Sequence, residues 1–303
     1  MNKNDDVDSK FSFLSFMISH VANESVLLTK YESGHSSVKF TELWPELSGA
    51  EFDESIHEAL RHLGGPPEYF LVPDGKVAPP SDNYPEAAMS EIFAVYQRAR
   101  KSVIRTHMYN KGSSFILANK TLLSDISESQ ETRDLMTERI AEAFWEHAES
   151  AYIRLCSYWD RIGQLLDFAF FNIRKFDQNG FNAVMERIHG NVLPMNCGMA
   201  SCQSWLKLRK FQNSERDDGL KLLLQRRNLI IHSLHLHPVK ENEKVFESQV
   251  NHLDKAHREK LKPRTPDDEV ALLMGQLERA GQLFQDILRV IPYSPSRKVD
   301  IFL

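Results

Sequence analysis

The sequence is poor in cysteine. Its 303 residues contain three, Cys156, Cys197 and Cys202, and an odd number cannot all pair with one another. This count argues against a disulfide-stabilised secreted protein and favours a reduced, intracellular one. Cys197 and Cys202, taken together with His189, match no common zinc-ligand spacing. The sequence therefore predicts no metal site at these cysteines.

Long hydrophobic runs are also lacking. The apolar run near the start of the chain covers only residues 11–18, which is too short to span a bilayer. It follows Asp5, Asp6 and Asp8, where a secretory signal has basic residues. The sequence therefore predicts neither a signal peptide nor a membrane segment, and it favours a cytoplasmic location.

The chain has no excess of positive charge, no repeat of solenoid length and no low-complexity tract. Its formal net charge is −5, so it is not a nucleic-acid binder along its whole length, and any RNA contact requires a local basic patch. The hydrophobic share of 42% and the charged share of 26% are those of an ordinary soluble globular protein.

Residues 1–84 are predicted to form a smaller, mixed N-terminal region of unknown role. The apolar spacing indicates helices at 11–21 and 51–63, and the local composition indicates short strands at 25–31, 37–40 and 69–72. Four prolines in residues 73–85 predict a linker.

Residues 85–303 are predicted to form an all-α bundle with long core helices. A helix is expected at 86–109, and the run 133–176 is read as one long helix or as two helices that meet near residue 150. The second half of this run is apolar around most of its circumference, as is typical of a helix in the middle of a bundle. The four main helices are predicted at 132–175, 199–211, 214–236 and 266–291, the last opened by a Thr265–Pro266 cap.

The helix predicted at 214–236 carries an unusual polar group. Leucines at 220, 223 and 224 mark an apolar face, and continuing that face reaches Arg227 and Ile231. An arginine on such a face is costly unless it has a partner or lines a site. Asn228 and His232 are four residues apart and share an edge, which His235 can join before Pro238 ends the helix.

An arginine, a polar residue, three aliphatic residues and a histidine near the end of a helix resemble the signature of the HEPN superfamily (higher eukaryotes and prokaryotes nucleotide-binding domains). The resemblance covers the C-terminal half to two-thirds of the chain. It implies a HEPN-like helical bundle with metal-independent endoribonuclease activity and no cofactor. It also implies a homodimer whose two motif helices form one RNA cleft, in a toxin–antitoxin or antiviral-defence system with an antitoxin or other partner protein.

The resemblance assigns a role to each motif residue. His232 would transfer protons at the ribose 2′-hydroxyl or the leaving 5′-oxygen, Arg227 would bind and neutralise the phosphate, and Asn228 would orient the phosphate or the histidine. Two other interpretations are an inactive HEPN-fold module that binds nucleotide, RNA or protein, and an unrelated helical protein with a coincidental motif.

Asp160 is a further candidate, because some members of the superfamily place an acidic residue on an earlier core helix. The alternative is a structural ion pair with Arg227 or Arg161, since an ionised group in an apolar helix needs a partner. The glutamate–lysine pair that often precedes the family motif is not found in this sequence, which leaves the role of Asp160 open.

A local basic excess lies close to the motif. The residues predicted to bind RNA are Lys207, Arg209, Lys210, Arg226 and His235. Acidic residues at 215, 217 and 218 dilute this excess, so a solvated charged surface is the alternative. Histidines at 232, 235 and 237 do not share one helical face, so no metal is predicted there.

Overall fold

The computed structural model of the chain describes residues 3–35, 40, 42–43, 48–64, 84–119, 121, 129–171, 180–232 and 264–295, with side chains from residue 14 onward and without that of residue 232. All regular secondary structure within these ranges is helical, which confirms the predicted all-α class. The helices are α1 (Lys3–Gly34), α2 (Gly49–Gly64), α3 (Tyr84–Ala118), α4 (Gln130–Phe171), α5 (Gly180–Asn191), α6 (Cys197–Ala200), α7 (Gln203–Asn213), α8 (Leu220–His232) and α9 (Pro266–Val290), with 3-10 turns at Leu193–Met195 and Ile291–Tyr293. No helix in these ranges is both long enough and apolar enough to cross a bilayer.

The N-terminal helix α1 contradicts the strand predicted at 25–31, because it continues through this stretch. Glu24, Leu28, Tyr31 and His35 are partly buried at spacings of four, three and four residues. This helical period places one face of α1 against α3, and that contact outweighs the strand preference of a short apolar run. Residues 37–39 of the strand predicted at 37–40, the whole strand predicted at 69–72 and residues 73–83 of the linker predicted at 73–85 lie outside the described residues.

The predicted helix at 51–63 is confirmed as α2, and it packs into the same core as the later helices. The ring of Phe52 lies 6.0 Å from those of both Phe93 in α3 and Phe284 in α9. At the end of α2, His62 Nε2 lies 3.0 Å from Ser294 Oγ. The apolar core therefore extends across the boundary predicted near residue 84.

The central layer consists of α3 and α4. The run that was read as one helix or two is a single helix of 42 residues, about 63 Å long at 1.5 Å per residue. Tyr96 of α3 and Tyr158 of α4 lie with ring centroids 5.4 Å apart. Their hydroxyls donate to the carbonyls of Leu277 and Ala280 in α9, both at 3.3 Å. These buried tyrosines satisfy their polar atoms on α9 and so fix it against the central pair.

The short helix α5 crosses α4 at Gly163. A Cβ at this position would lie 2.8 Å from the backbone nitrogen and Cα of Phe181. Beside this crossing, Trp159 packs against Phe181 and Phe211, with ring centroids 5.0 and 4.4 Å away. The close backbone approach brings the N-terminus of α5 to the polar side of α4.

The motif helix α8 begins at Leu220, six residues later than the prediction at 214. Residues 214–219 form a turn in which the amide of Lys221 donates to the Ser214 carbonyl at 3.2 Å. Gln276 of α9, which is fully buried, donates to the carbonyls of Asp217 and Gly219 at 2.7 and 3.0 Å. The start of α8 is therefore held by α9.

The last long helix follows its prediction. The Thr265 side chain accepts from the amide of Asp268 at 3.2 Å, and Pro266 occupies the first helical turn. Threonine is a good N-cap and proline fits the first turn because its missing N–H would have no helical partner there.

Candidate functional site around the motif helix

The buried face of α8 differs from the predicted one. Leu220, Leu223, Arg226 and Leu229 are 1%, 0%, 2% and 8% exposed, whereas Ile231 is 49% exposed. Arg227 is only partly buried. The prediction that Arg227 continues the leucine face is therefore wrong by one residue, or about 100° around the helix. The helix rotates in this way because it packs against both α4 and α7.

Arg227 lies on the side of α8 that borders α4. Its positive charge acts to lower the pKa of both Cys156 and Asp160, which are four residues apart on α4. The pKa of the Cys156 thiol is raised to about 12, mainly by burial and also by the Asp160 carboxylate, while Arg227 acts in the opposite direction. The Cys156 thiol also donates to the Leu223 carbonyl at 3.8 Å, which ties α4 to α8. Cys156 is thus a protonated core residue, and Asp160 is the neighbour of Arg227.

Asp160 has a second contact besides Arg227. Burial raises the pKa of its carboxyl group, while Arg227, the backbone N–H of Phe181 and Arg161 lower it. The carboxylate therefore caps the N-terminus of α5. Gly180 has a φ of +49°, and a Cβ there would lie 2.5 Å from Asp160 Oδ1, so glycine is required for this approach.

Arg161, the alternative partner next to Asp160 in sequence, has contacts of its own. Arg161 pairs with Glu91 of α3 at 2.9 Å and donates to Gln164 at 2.9 Å. The charges of Arg227 and Arg161 both lower the pKa of the Asp160 carboxyl group, and Arg227 has the larger effect.

Asn228 completes the described part of the motif. Its side chain is exposed, and Arg227 Nη1 donates to Asn228 Oδ1 at 3.2 Å. The structure thus brings together Asp160, Arg227 and Asn228. His232 is the last residue of α8, but its side chain lies outside the described residues, as does the whole of His235.

The predicted RNA-binding residues of α7 point in different directions. Lys207, 60% exposed, lies 3.6 Å from Asp286 of α9, whereas Arg209 pairs with Glu186 of α5 at 2.8 Å. Lys210 is exposed. Two of these three cations therefore already have a carboxylate neighbour, and they do not form one continuous strip.

Arg226 requires a correction. It was predicted to bind RNA, but it lies inside the bundle, where it forms an ion pair with Glu269 of α9, itself 0% exposed. The Tyr152 hydroxyl donates to the same carboxylate, and the Arg226 guanidinium lies 5.8 Å from the Tyr152 ring centroid. Burial raises the pKa of Tyr152 to about 12 and lowers that of Arg226. A group enclosed in this way is not a surface ligand for phosphate.

The sequence contained a weak signal for this network. Positions 220, 223, 226 and 229 repeat every three residues, as one helix face does, but Glu269 reads as an ordinary acidic residue in the first turn of α9. Nothing in the local sequence links two residues that are 43 positions apart.

The arrangement at Arg227 suits an oxyanion. A guanidinium presents five N–H donors in a fixed fork, and, among the residues that the structure describes, that of Arg227 donates one hydrogen bond, to Asn228. In the described part of the chain, no group of three or more His, Cys, Asp or Glu side chains is arranged to hold a metal ion. Comparison of the chain with protein-family models, with curated proteins and with solved structures finds no match.

Proposed function

We propose that this chain is a HEPN-like, metal-independent endoribonuclease with Arg227, Asn228 and His232 at its cleavage site. The observation that carries the proposal is the setting of Arg227. The partly exposed Arg227 donates to the exposed Asn228 on α8, and its charge lowers the pKa of the half-buried Asp160 on α4. A charged group that is open to solvent and lies near a partly buried group of opposite charge is typical of a functional site.

In the proposed reaction, His232 takes the proton of a ribose 2′-hydroxyl, and the 2′-oxygen attacks the adjacent phosphorus. The bond to the 5′-oxygen breaks, that oxygen receives a proton, and a 2′,3′-cyclic phosphate remains. Arg227 stays charged and stabilises the negative charge that gathers on the phosphoryl oxygens. Asn228 orients the phosphate, and Asp160 holds the guanidinium of Arg227. No metal or cofactor takes part.

The proposal includes a homodimer that joins two sites. Ile153 precedes Asp160 by two helical turns, and Ile231 follows Arg227 by one, so each shares a helix face with a site residue. They are 39% and 49% exposed. Such apolar side chains beside the site suit a two-fold contact between identical surfaces. A role as a toxin or antiviral-defence effector, with an antitoxin or other defence-system partner, belongs to the same proposal.

A second candidate is an inactive HEPN-fold module that binds RNA, nucleotide or protein. Its support is that several polar groups near the motif already have partners within the chain. Asp160 accepts from the Phe181 amide, and Arg209 pairs with Glu186. Groups engaged in this way stabilise the fold whether or not RNA is bound.

The test is RNA cleavage in the presence of EDTA. The wild type should leave 2′,3′-cyclic phosphate ends on RNA and spare DNA, which lacks the 2′-hydroxyl. Arg227→Ala and His232→Ala should each lower the rate by about 100-fold or more while keeping helical content and dimer mass. Arg139→Ala is the matched control, because Arg139 is 71% exposed near the start of α4.

Leu223→Ala separates chemistry from folding. Leu223 is fully buried, so its truncation should cost about 2–5 kcal/mol of stability and lower activity only through unfolding.

Activity that is lost with EDTA and restored by magnesium would overturn the mechanism. RNA binding without cleavage, unchanged by His232→Ala, would favour the module, and a monomer in light scattering would remove the composite cleft.

A further inference from the structure

A cleft of about 260 Å³ opens between α1, α3 and α4. Its polar lining includes His20 and Glu24 of α1, Arg105 and Tyr109 of α3, and His147 of α4, and its apolar lining includes Leu27 and Met108. His147 precedes Asp160 by 13 residues along α4, which is about 20 Å of helix. The cleft is therefore separate from the motif site.

Arginine side chains converge beside this cleft. Burial lowers the pKa of Arg154, and the positive charges of Arg105 and Arg98 lower it further. Arg154 Nη1 donates to two neutral oxygens, Ser102 Oγ at 2.6 Å and the Arg98 carbonyl at 3.1 Å. Arg105 forms an ion pair with Glu24 of α1 through one Nη, and both residues line the cleft, so the guanidinium has further N–H donors for an anion. An anion bound here would relieve the repulsion among these cations.

Another part of the cleft lining is aromatic. The rings of Tyr109 and His147 stack with centroids 5.3 Å apart and planes 19° from parallel. Burial lowers the pKa of His147, and Arg105 and Arg154 lower it further, while Glu146 and Glu24 oppose them. At neutral pH the imidazole is therefore uncharged, with one nitrogen as a donor and one as an acceptor.

We propose that this cleft is a binding site for a small aryl phosphate or aryl carboxylate. Arg105 binds the anionic group, and the aromatic body lies against the Tyr109–His147 pair with Leu27 and Met108 around it. The size limits the body, since pockets for drug-sized ligands begin at roughly 300 Å³ and this cleft is smaller. A single aromatic ring with one anionic group is the class of ligand that matches Arg105 and the Tyr109–His147 pair.

The probe is phenyl phosphate, and the readout is the pKa of His147 followed by NMR in histidine-labelled full-length protein. The His147 signal is identified by its loss in His147→Gln. Bound phosphate next to the imidazole stabilises its protonated form, so saturating phenyl phosphate should raise the pKa of His147 relative to sodium chloride at equal ionic strength. Benzoate should act in the same direction, and inorganic phosphate should bind at least tenfold more weakly because it lacks the ring.

Variants locate the contacts. Arg105→Gln should weaken phenyl phosphate binding about tenfold or more, as loss of a charge-assisted contact does. Arg105→Lys, which retains the charge beside Glu24, should fall between wild type and Arg105→Gln. Arg154→Gln also weakens binding and leaves the contact between Arg105 and α1 in place. Arg139→Gln changes an exposed arginine of α4 that pairs with Glu142 and does not line the cleft, so it should bind like the wild type. Each variant is compared by its melting temperature.

Three results would overturn the proposal. The first is a His147 pKa that is the same in phenyl phosphate and in sodium chloride. The second is an unchanged affinity in Arg105→Gln and Arg154→Gln variants that melt like the wild type. The third is equal affinity for inorganic phosphate, which would remove the aromatic body from the assignment. None of these readouts depends on RNA cleavage, so the proposed nuclease function succeeds or fails separately.

Discussion

Asp160 shows how one side chain serves two elements. Its carboxylate caps α5 through the Phe181 amide and lies close enough to Arg227 on α8 to interact with its charge. Burial raises the pKa of the carboxyl group, and these two contacts act against that rise. Asp160 thereby links the placement of Arg227 to the packing of two helices.

Replacement of Arg227 by methionine should raise the pKa of Asp160 above its wild-type value, because the largest attractive charge is removed. Arg161→Met is the matched control. It should raise the same pKa by less, since Arg161 has a smaller effect on Asp160 and pairs with Glu91. Carboxyl-carbon NMR titration of Asp160 measures both changes. Equal shifts in the two variants would show that Arg227 is not the main partner of Asp160.

At the scale of helices, α4 and α5 meet through the bare backbone of Gly163. Gly163→Ala should lower the free energy of unfolding by roughly 1–3 kcal/mol, because its Cβ would meet backbone atoms of Phe181 that cannot rotate away. Gly275→Ala in α9 is the matched control. No atom lies within 4 Å of a Cβ there, so it should raise stability by up to about 1 kcal/mol through helix propensity. Urea denaturation gives both values, and a stabilising Gly163→Ala would contradict the close crossing.

A second helix-scale feature is the buried ion pair between α8 and α9. Arg226→Met should cost about 3–5 kcal/mol, because it leaves the Glu269 carboxylate buried without its partner. Adding Glu269→Leu and Tyr152→Phe should recover most of that loss, since the triple variant leaves no unpaired polar group. Chemical denaturation of the single and triple variants measures the difference. If the triple variant is no more stable than Arg226→Met, then Arg226, Glu269 and Tyr152 contribute more to stability than the pairing of their own buried polar groups.

At the scale of the whole molecule, α1 joins the bundle mainly through polar contacts. Glu24 pairs with Arg105, Glu32 pairs with Arg100, and the Tyr31 hydroxyl lies 2.6 Å from His107 Nδ1. Several apolar side chains of α1 remain exposed, among them Phe16 at 67% and Ile18 at 61%. The attachment of α1 is therefore sensitive to charge, whereas the core around α4 and α9 is apolar.

Acidification should weaken this attachment. Burial lowers the pKa of His107, as do Lys111 and His35, and burial also lowers that of His147. A histidine whose pKa is lower in the folded state contributes its full stability above the unfolded value of 6.5 and loses it as the pH falls through the folded value. The free energy of unfolding should therefore fall between pH 7.5 and pH 5.5 (a window set at roughly one unit either side of 6.5).

Replacement of the two histidines tests this explanation. His107→Phe with His147→Phe should flatten the pH dependence measured by denaturation over the same window. His189→Gln, which changes an exposed histidine of α5, should leave the slope as in the wild type. A slope that persists in the double variant would assign the pH dependence to other groups.

Local sequence signals determined the helical class and many helix bounds. The cap at Thr265 and Pro266 needs only neighbouring residues, and the period of apolar positions in α2, α4 and α9 repeats over enough turns to outweigh other preferences. The strand predicted at 25–31 was wrong because a short apolar run carries no long period, and the docking of α1 on α3 decided its conformation.

The candidate site was determined only in part by the sequence. The motif pattern identified Arg227 and Asn228 as neighbours on α8 and Asp160 as a candidate partner, but it could not give the rotation of the helix. That rotation depends on packing against α4 and α7 and on the ion pair of Arg226 with Glu269, which lies 43 residues away in sequence. Arg226 is buried and Arg227 stays partly exposed, because the cost of desolvating an arginine is offset only where a carboxylate such as Glu269 pairs with it.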